Sequence, residues 1–151
     1  MIDTVMVAIH LVFGAIWVGA VAFVTLAILP LARDGELDSA PLAATLKTLV
    51  RISRLSALLM LVSGSHLMGT GGYFELDQLL ETNRGIAVVV MLLLWFALIV
   101  IIEISTKRIN SGLDANLLRD PARDGLKWFY VATVIGVLLF AVGAALTTGF
   151  V

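Results

Sequence analysis

The chain has 151 residues, 60% hydrophobic and 14% charged, with a mean hydropathy of +1.06; a soluble domain carries about 25% charged residues, so an ordinary water-soluble globule is excluded. With only 13 Gly and 3 Pro it is not a collagen-like or low-complexity chain. Its 10 basic and 11 acidic residues form no uniformly basic segment, which argues against nucleic acid as a partner, and the absence of cysteine removes disulfides, thiolate metal sites, thiol catalysis and covalent haem attachment.

Four stretches contain no Asp, Glu, Lys or Arg: residues 4–32, 55–74, 85–102 and 128–151. A helix needs roughly 20 apolar residues to cross the hydrocarbon core, within a range of about 17 to 25. Every stretch is long enough, and none alternates at period two as a barrel strand does. The expected fold is all-α: one integral membrane domain over 1–151, a four-transmembrane-helix antiparallel bundle with spans at about 4–30, 52–71, 85–104 and 127–149.

The first stretch has no basic leader, carries Asp3 near its start and exceeds a signal-peptide core of about 7 to 15 residues, so it is read as a mature span. Asp38 or Ser39 before Pro41 is an N-cap signal, so the second helix begins well ahead of its apolar stretch, with Leu42, Leu46, Leu49 and Ile52 along one stripe. Gly69, Gly71 and Gly72 end it, and Leu76, Leu79 and Leu80 form a short interfacial turn. Thr82 or Asn83 caps the third helix, whose Glu103 is expected to snorkel or to pair with Lys107. Asp120 and Pro121 open the fourth, where Ala132, Gly136 and Gly143 mark a close-packing face for the bundle or a homodimer.

Nine of the ten basic residues fall in the segments 33–54 and 103–127, and the tenth is Arg84. The positive-inside rule makes those segments cytoplasmic and places both termini outside. The expected location is the cell membrane, as a multi-pass protein of a prokaryotic cytoplasmic membrane.

The only two histidines, His10 and His66, both fall in apolar stretches, each about six residues or roughly 9 Å from the outer boundary. Consecutive antiparallel helices are neighbours, so the two imidazoles are expected to face each other across a shared cavity. Met6, His10, Gly14 and Trp17 share one face of the first helix, where Gly14 would leave room for a planar cofactor, and Met68 lies near His66. Imidazole suits copper, haem iron and zinc, while thioether sulfur suits Cu(I). The candidate metal set is therefore Met6, His10, His66 and Met68, and the candidate cofactor set is His10, His66, Gly14 and Arg84, the last pairing with a haem propionate or with Glu81. The competing role for each histidine is a hydrogen bond inside the bundle. No catalytic residue is assigned: phosphate-loop, zinc-protease and serine-triad patterns are all missing.

The opening span, "AIHLVFGAIWVGAVAF" running to "LP", resembles the H-x(6)-W-x-G start of proteins related to copper resistance protein D, the CopD family, and His10, Trp17 and Gly19 match that motif. "RISRLSALLMLVSG" is similar to the helix that follows it there. The resemblance covers about the first 75 residues and implies a membrane protein of copper uptake or homeostasis. The same opening also resembles HemJ-type protoporphyrinogen oxidases, compact haem proteins with an early histidine, although "LAILPLARDG" departs from their pattern.

Two functions are thus expected in alternative. One is copper transport or homeostasis at an outward-facing His/Met site. The other is a haem b protein with His10 and His66 as axial ligands, in electron transfer or porphyrin oxidation; an enzymatic activity would then be that of a haem-dependent oxidoreductase. Either expects the lipid bilayer as surroundings and a homo-oligomer or membrane partner protein.

Overall fold

The computed structural model describes residues 1–72, 75–115 and 117–148. Among these are five helices: α1 (Ile2–Asp34), α2 (Ser39–Thr70), the short α3 (Leu76–Glu81), α4 (Asn83–Asp114) and α5 (Arg119–Thr148). Residue 149, the expected end of the last span, lies outside the described residues. The four long helices run up, down, up and down. α1 packs on α2, α2 on α4, α4 on α5 and α5 back on α1, closing an antiparallel ring. One end carries the chain N-terminus and the end of α5, here the terminal end; the other carries nine of the ten basic residues, here the charged end.

Three of the helices, α1, α4 and α5, are long and apolar enough to cross a membrane. Only 28%, 22% and 22% of their most apolar windows are buried inside the protein, so most of that surface needs an apolar solvent. α2 has the length, at 32 residues, but Arg54, Ser56, Ser63, Ser65 and His66 dilute its apolar stretch. Its serines have an internal use. The buried positions Leu42, Leu46, Leu49, Ser53, Ser56, Met60 and Ser63 recur at alternating spacings of four and three, a heptad seam turned into the bundle. The stripe expected through Ile52 passes through Ser53 instead, because Trp17 Nε1–H donates to Ser53 Oγ at 2.6 Å. Leu55, Leu58, Leu61 and Val62 face outward.

Local chemistry explains the helix ends. Thr82 Oγ1 accepts from Gly85 N at 3.0 Å and caps α4 as expected, while Asp38 holds the N-cap position of α2 in extended backbone without a side-chain capping bond. Gly35 has φ +81°, and Glu36 N donates back to Leu31 O at 2.8 Å, so α1 stops in a left-handed turn that only glycine adopts without cost. α5 begins at Arg119, ahead of Asp120, which lies in its first turn.

α1 is continuous but not uniform. Val24–Ile28 is a π-helical stretch just before Pro30, which has no N–H for the Leu26 carbonyl and whose ring crowds it. The widened turn buries Thr25, which donates to Val21 O at 2.7 Å and in turn accepts from Thr133 Oγ1 at 2.9 Å on α5. A β-carbon on Gly136 would come 2.8 Å from Val18 Cγ1, so the Ala132 and Gly136 face serves the α1–α5 contact within the bundle.

Packing is uneven along the bundle. Toward the charged end, Trp17, Leu29, Ala32, Leu42, Leu46, Leu98, Ile109, Ala122, Phe129 and Ala132 have no exposed surface. Glu103 does not pair with Lys107: Arg54 of α2 takes both its oxygens, at 2.7 and 3.0 Å, since a guanidinium fork matches a carboxylate and a lysine cannot. Toward the terminal end the four helices separate around a hollow.

Candidate functional site

The hollow is a cavity of about 390 Å³ lined by all four long helices. α1 contributes Val7, His10 and Leu11; α2 contributes Met60, Gly64 and Met68; α4 contributes Arg84, Met91 and Trp95; α5 contributes Leu139, Gly143 and Leu146. Met60, Gly64 and Met68 are spaced by four, so one stripe of α2 supplies them, and Met91 and Trp95 are one turn apart on α4. Leu98 and Met60, buried at the inner edge, lead into the packed half.

His10 is held by a directed hydrogen bond. Its Nδ1 lies 3.0 Å from Ser63 Oγ, and Ser63 spends its single proton on the Leu59 carbonyl at 2.7 Å. Ser63 Oγ therefore accepts from His10 Nδ1–H, and the lone pair of the imidazole sits on Nε2. The ring packs over Gly64, where a β-carbon would come 3.2 Å from His10 Cε1. An imidazole tethered through Nδ1 to a neighbouring hydroxyl is the arrangement of a ligand histidine.

His66 is elsewhere. Its Nε2 is 2.8 Å from Asp3 Oδ1, and it does not line the cavity. The expectation that the two imidazoles face each other is corrected by helix geometry. His66 is two positions from both Gly64 and Met68, about 200° around the helix from each, so it turns away from the stripe they form. It clasps the start of α1 to the end of α2. The α1–α2 register that pairs Asp3 with His66, His10 with Ser63 and Trp17 with Ser53 also places His66 nearer the end of the bundle than His10.

The other expected residues divide in the same way. Met68 lines the cavity and Met6 does not. Gly14 is buried, but its space is filled by Met60, whose Cε would be 3.5 Å from an added β-carbon, so the room expected there for a planar cofactor is taken. Arg84 lines the cavity mouth and donates to Leu146 O at 3.1 Å. Of the resemblance motif, Trp17 is buried against Ser53 while Gly19 is exposed with open space around it.

Met60, Met91 and Trp95 were not among the expected site residues. The stripe of four in α2 carried a signal for Met60; the rotation of α4 that brings in Met91 and Trp95 left none in the sequence. Trp95 Nε1 is buried without a hydrogen-bond partner, an unused donor in the cavity wall.

Among the described residues that line the cavity, Arg84 is the sole charged one and none is a carboxylate. Among the described residues no three His, Asp or Glu side chains come together as a metal site. Such a lining disfavours hard divalent cations, which want carboxylate oxygen, and leaves imidazole nitrogen and thioether sulfur as the available donors. Comparison with protein-family models, with curated proteins and with solved structures finds no match.

Proposed function

We propose that the protein is a four-span cell-membrane protein of copper homeostasis, with both termini outside, whose terminal-end cavity captures copper as Cu(I). The observation that carries this is the meeting of His10 with Met60, Met68 and Met91 around one cavity. These are neutral, soft or borderline donors, the set that favours Cu(I) over harder ions. Ser63 supplies the outer hydrogen bond that ligand histidines have. The set differs from the sequence expectation by exchanging Met6 and His66 for Met60 and Met91.

The fourth span is α2. Within its apolar stretch Ser56 and Ser63 point inward while Leu55, Leu58 and Val62 point outward, as a membrane helix in a bundle requires. The positive-inside distribution of nine basic residues then places the cavity mouth outside. The resemblance of the first span to the CopD family adds support from the sequence.

Below the cavity, Trp17, Leu98 and Phe129 are fully buried, and a conducting route needs polar relays. The fitting activity is capture and hand-over to a partner or after rearrangement, not open conduction. A haem held by two histidines loses its second ligand when His66 binds Asp3, which makes copper the preferred occupant.

The deciding experiment is elemental analysis and an optical spectrum on protein purified in mild detergent with copper under reducing conditions. One copper per chain without a Soret band is expected. A Soret band that shifts on reduction would put haem in its place, and the lack of both would make His10 a structural residue.

A further inference from the structure

The charged end holds a second cleft, of about 720 Å³, between α2 and α4. Lys47, Arg51 and Arg54 line it from α2, and Glu103, Thr106, Lys107, Asn110 and Asp114 from α4. Arg54 and Glu103 neutralise each other. Among the described residues Lys47, Arg51 and Lys107 form no ion pair, so three cations remain in the lining against the single carboxylate of Asp114.

The polar groups between these cations are unmet. The hydroxyls of Thr25, Thr45, Thr48, Ser63 and Thr148 all donate to the carbonyl four residues back. Thr106 does not: only 3% exposed, its Oγ1 has no hydrogen-bond partner at all. Asn110, one turn further along the same face, has a buried Oδ1 without a partner. A 180° turn of its carboxamide, nearly isosteric, presents the N–H2 group in the same place. Buried groups of this kind are costly to leave unmet, and two adjacent ones beside three unpaired cations mark a place for an oxygen-rich anion.

We propose that this cleft binds a phosphoryl oxyanion, either the phosphodiester headgroup of an anionic phospholipid or inorganic phosphate. Lys47, Arg51 and Lys107 supply charge, and Thr106 Oγ1–H and the Asn110 amide supply directed donors. The depth suits a headgroup, because the cleft lies where α2 and α4 leave their uncharged stretches, at Arg54 and Glu103. The site depends on the membrane location and not on copper.

The test uses the full chain in nanodiscs of phosphatidylcholine, with or without phosphatidylglycerol, examined by native mass spectrometry and thermal unfolding. One tightly retained phosphatidylglycerol per chain, or a rise in melting temperature on adding inorganic phosphate to the phosphatidylcholine sample, upholds the site. Retention of lipid without a phosphate response identifies the headgroup, and displacement of the lipid by phosphate identifies the free anion as a ligand. Lys107→Gln, Arg51→Gln and Thr106→Val are each expected to weaken binding by about tenfold, the loss of one charge-assisted or buried hydrogen bond. Thr106→Val should at the same time raise the melting temperature without anion, since it removes an unmet hydroxyl and keeps the shape. Binding of neither probe overturns the proposal. So does an equal loss from Arg108→Gln or Arg123→Gln, basic residues outside the cleft, because diffuse surface charge would then explain the retention.

Discussion

Trp17, with no exposed surface, donates its indole N–H to Ser53 Oγ across 2.6 Å, joining α1 to α2 in the packed half of the bundle. Ser53→Ala leaves that donor buried without an acceptor and is expected to cost about 1–3 kcal/mol. Thermal unfolding in a fixed detergent measures it. Trp17→Phe should lower stability through lost packing, and adding Ser53→Ala to it should cost much less than Ser53→Ala alone.

His10 and His66 are expected to behave differently toward copper. His10→Ala, and Met60→Leu with Met68→Leu, should lower Cu(I) affinity at least about tenfold, read by competition with a chromogenic chelator. His66→Gln should leave copper stoichiometry unchanged and reduce only the melting temperature, by loosening the clasp to Asp3. Loss of copper in His66→Gln would return that residue to the site.

Two glycines give opposite outcomes. Gly136→Ala drives a methyl group into Val18 and should destabilise by about 1–3 kcal/mol, the range for overpacking. Gly19→Ala meets open space and should be neutral or slightly stabilising through helix propensity. Melting temperatures of the two variants make the comparison.

Because the chain has no cysteine, single introduced cysteines report sidedness without background. A membrane-impermeant maleimide applied to intact cells should label Glu75→Cys, in the connection between α2 and α3, and leave Glu36→Cys, between α1 and α2, unlabelled until the cells are broken. The reverse pattern would invert the orientation and turn the cavity mouth to the cytoplasm.

Most of the architecture was legible because it depends on where charges are absent and on local caps. Among the described residues, the gaps beginning at 4, 55, 85 and 128 are each filled mainly by one long helix, and Thr82 and Gly35 act through their own neighbours. The site was legible only in part, since its composition depends on helix rotation. His66 was read by depth, and depth is shared by every residue around a turn. Its direction is fixed by the α2 seam, which Ser63 occupies and His66 does not. Met91 and Trp95 come in because α4 packs on α5 more closely than on α2, a tertiary choice that a nearly all-apolar helix does not encode in its pattern. Arg54 and Glu103 stand 49 residues apart in sequence, which hid their pairing behind the local alternative Lys107.

With the cavity mouth outward, as proposed, the hollow half and the solid half would also divide the membrane's electric field. An ion bound at His10, roughly 9 Å below the outer boundary of a core about 30 Å thick, would have crossed about a third of the potential drop. Moving one charge through the whole drop is worth about 2.3 kcal/mol per 100 mV, so the binding free energy in the cavity would shift by about 0.8 kcal/mol over that voltage. The remaining two thirds fall across the packed layer around Trp17 and Phe129. Loading would therefore change only about threefold to fourfold per 100 mV, and the larger share of the voltage would act on whatever step carries the charge past that layer.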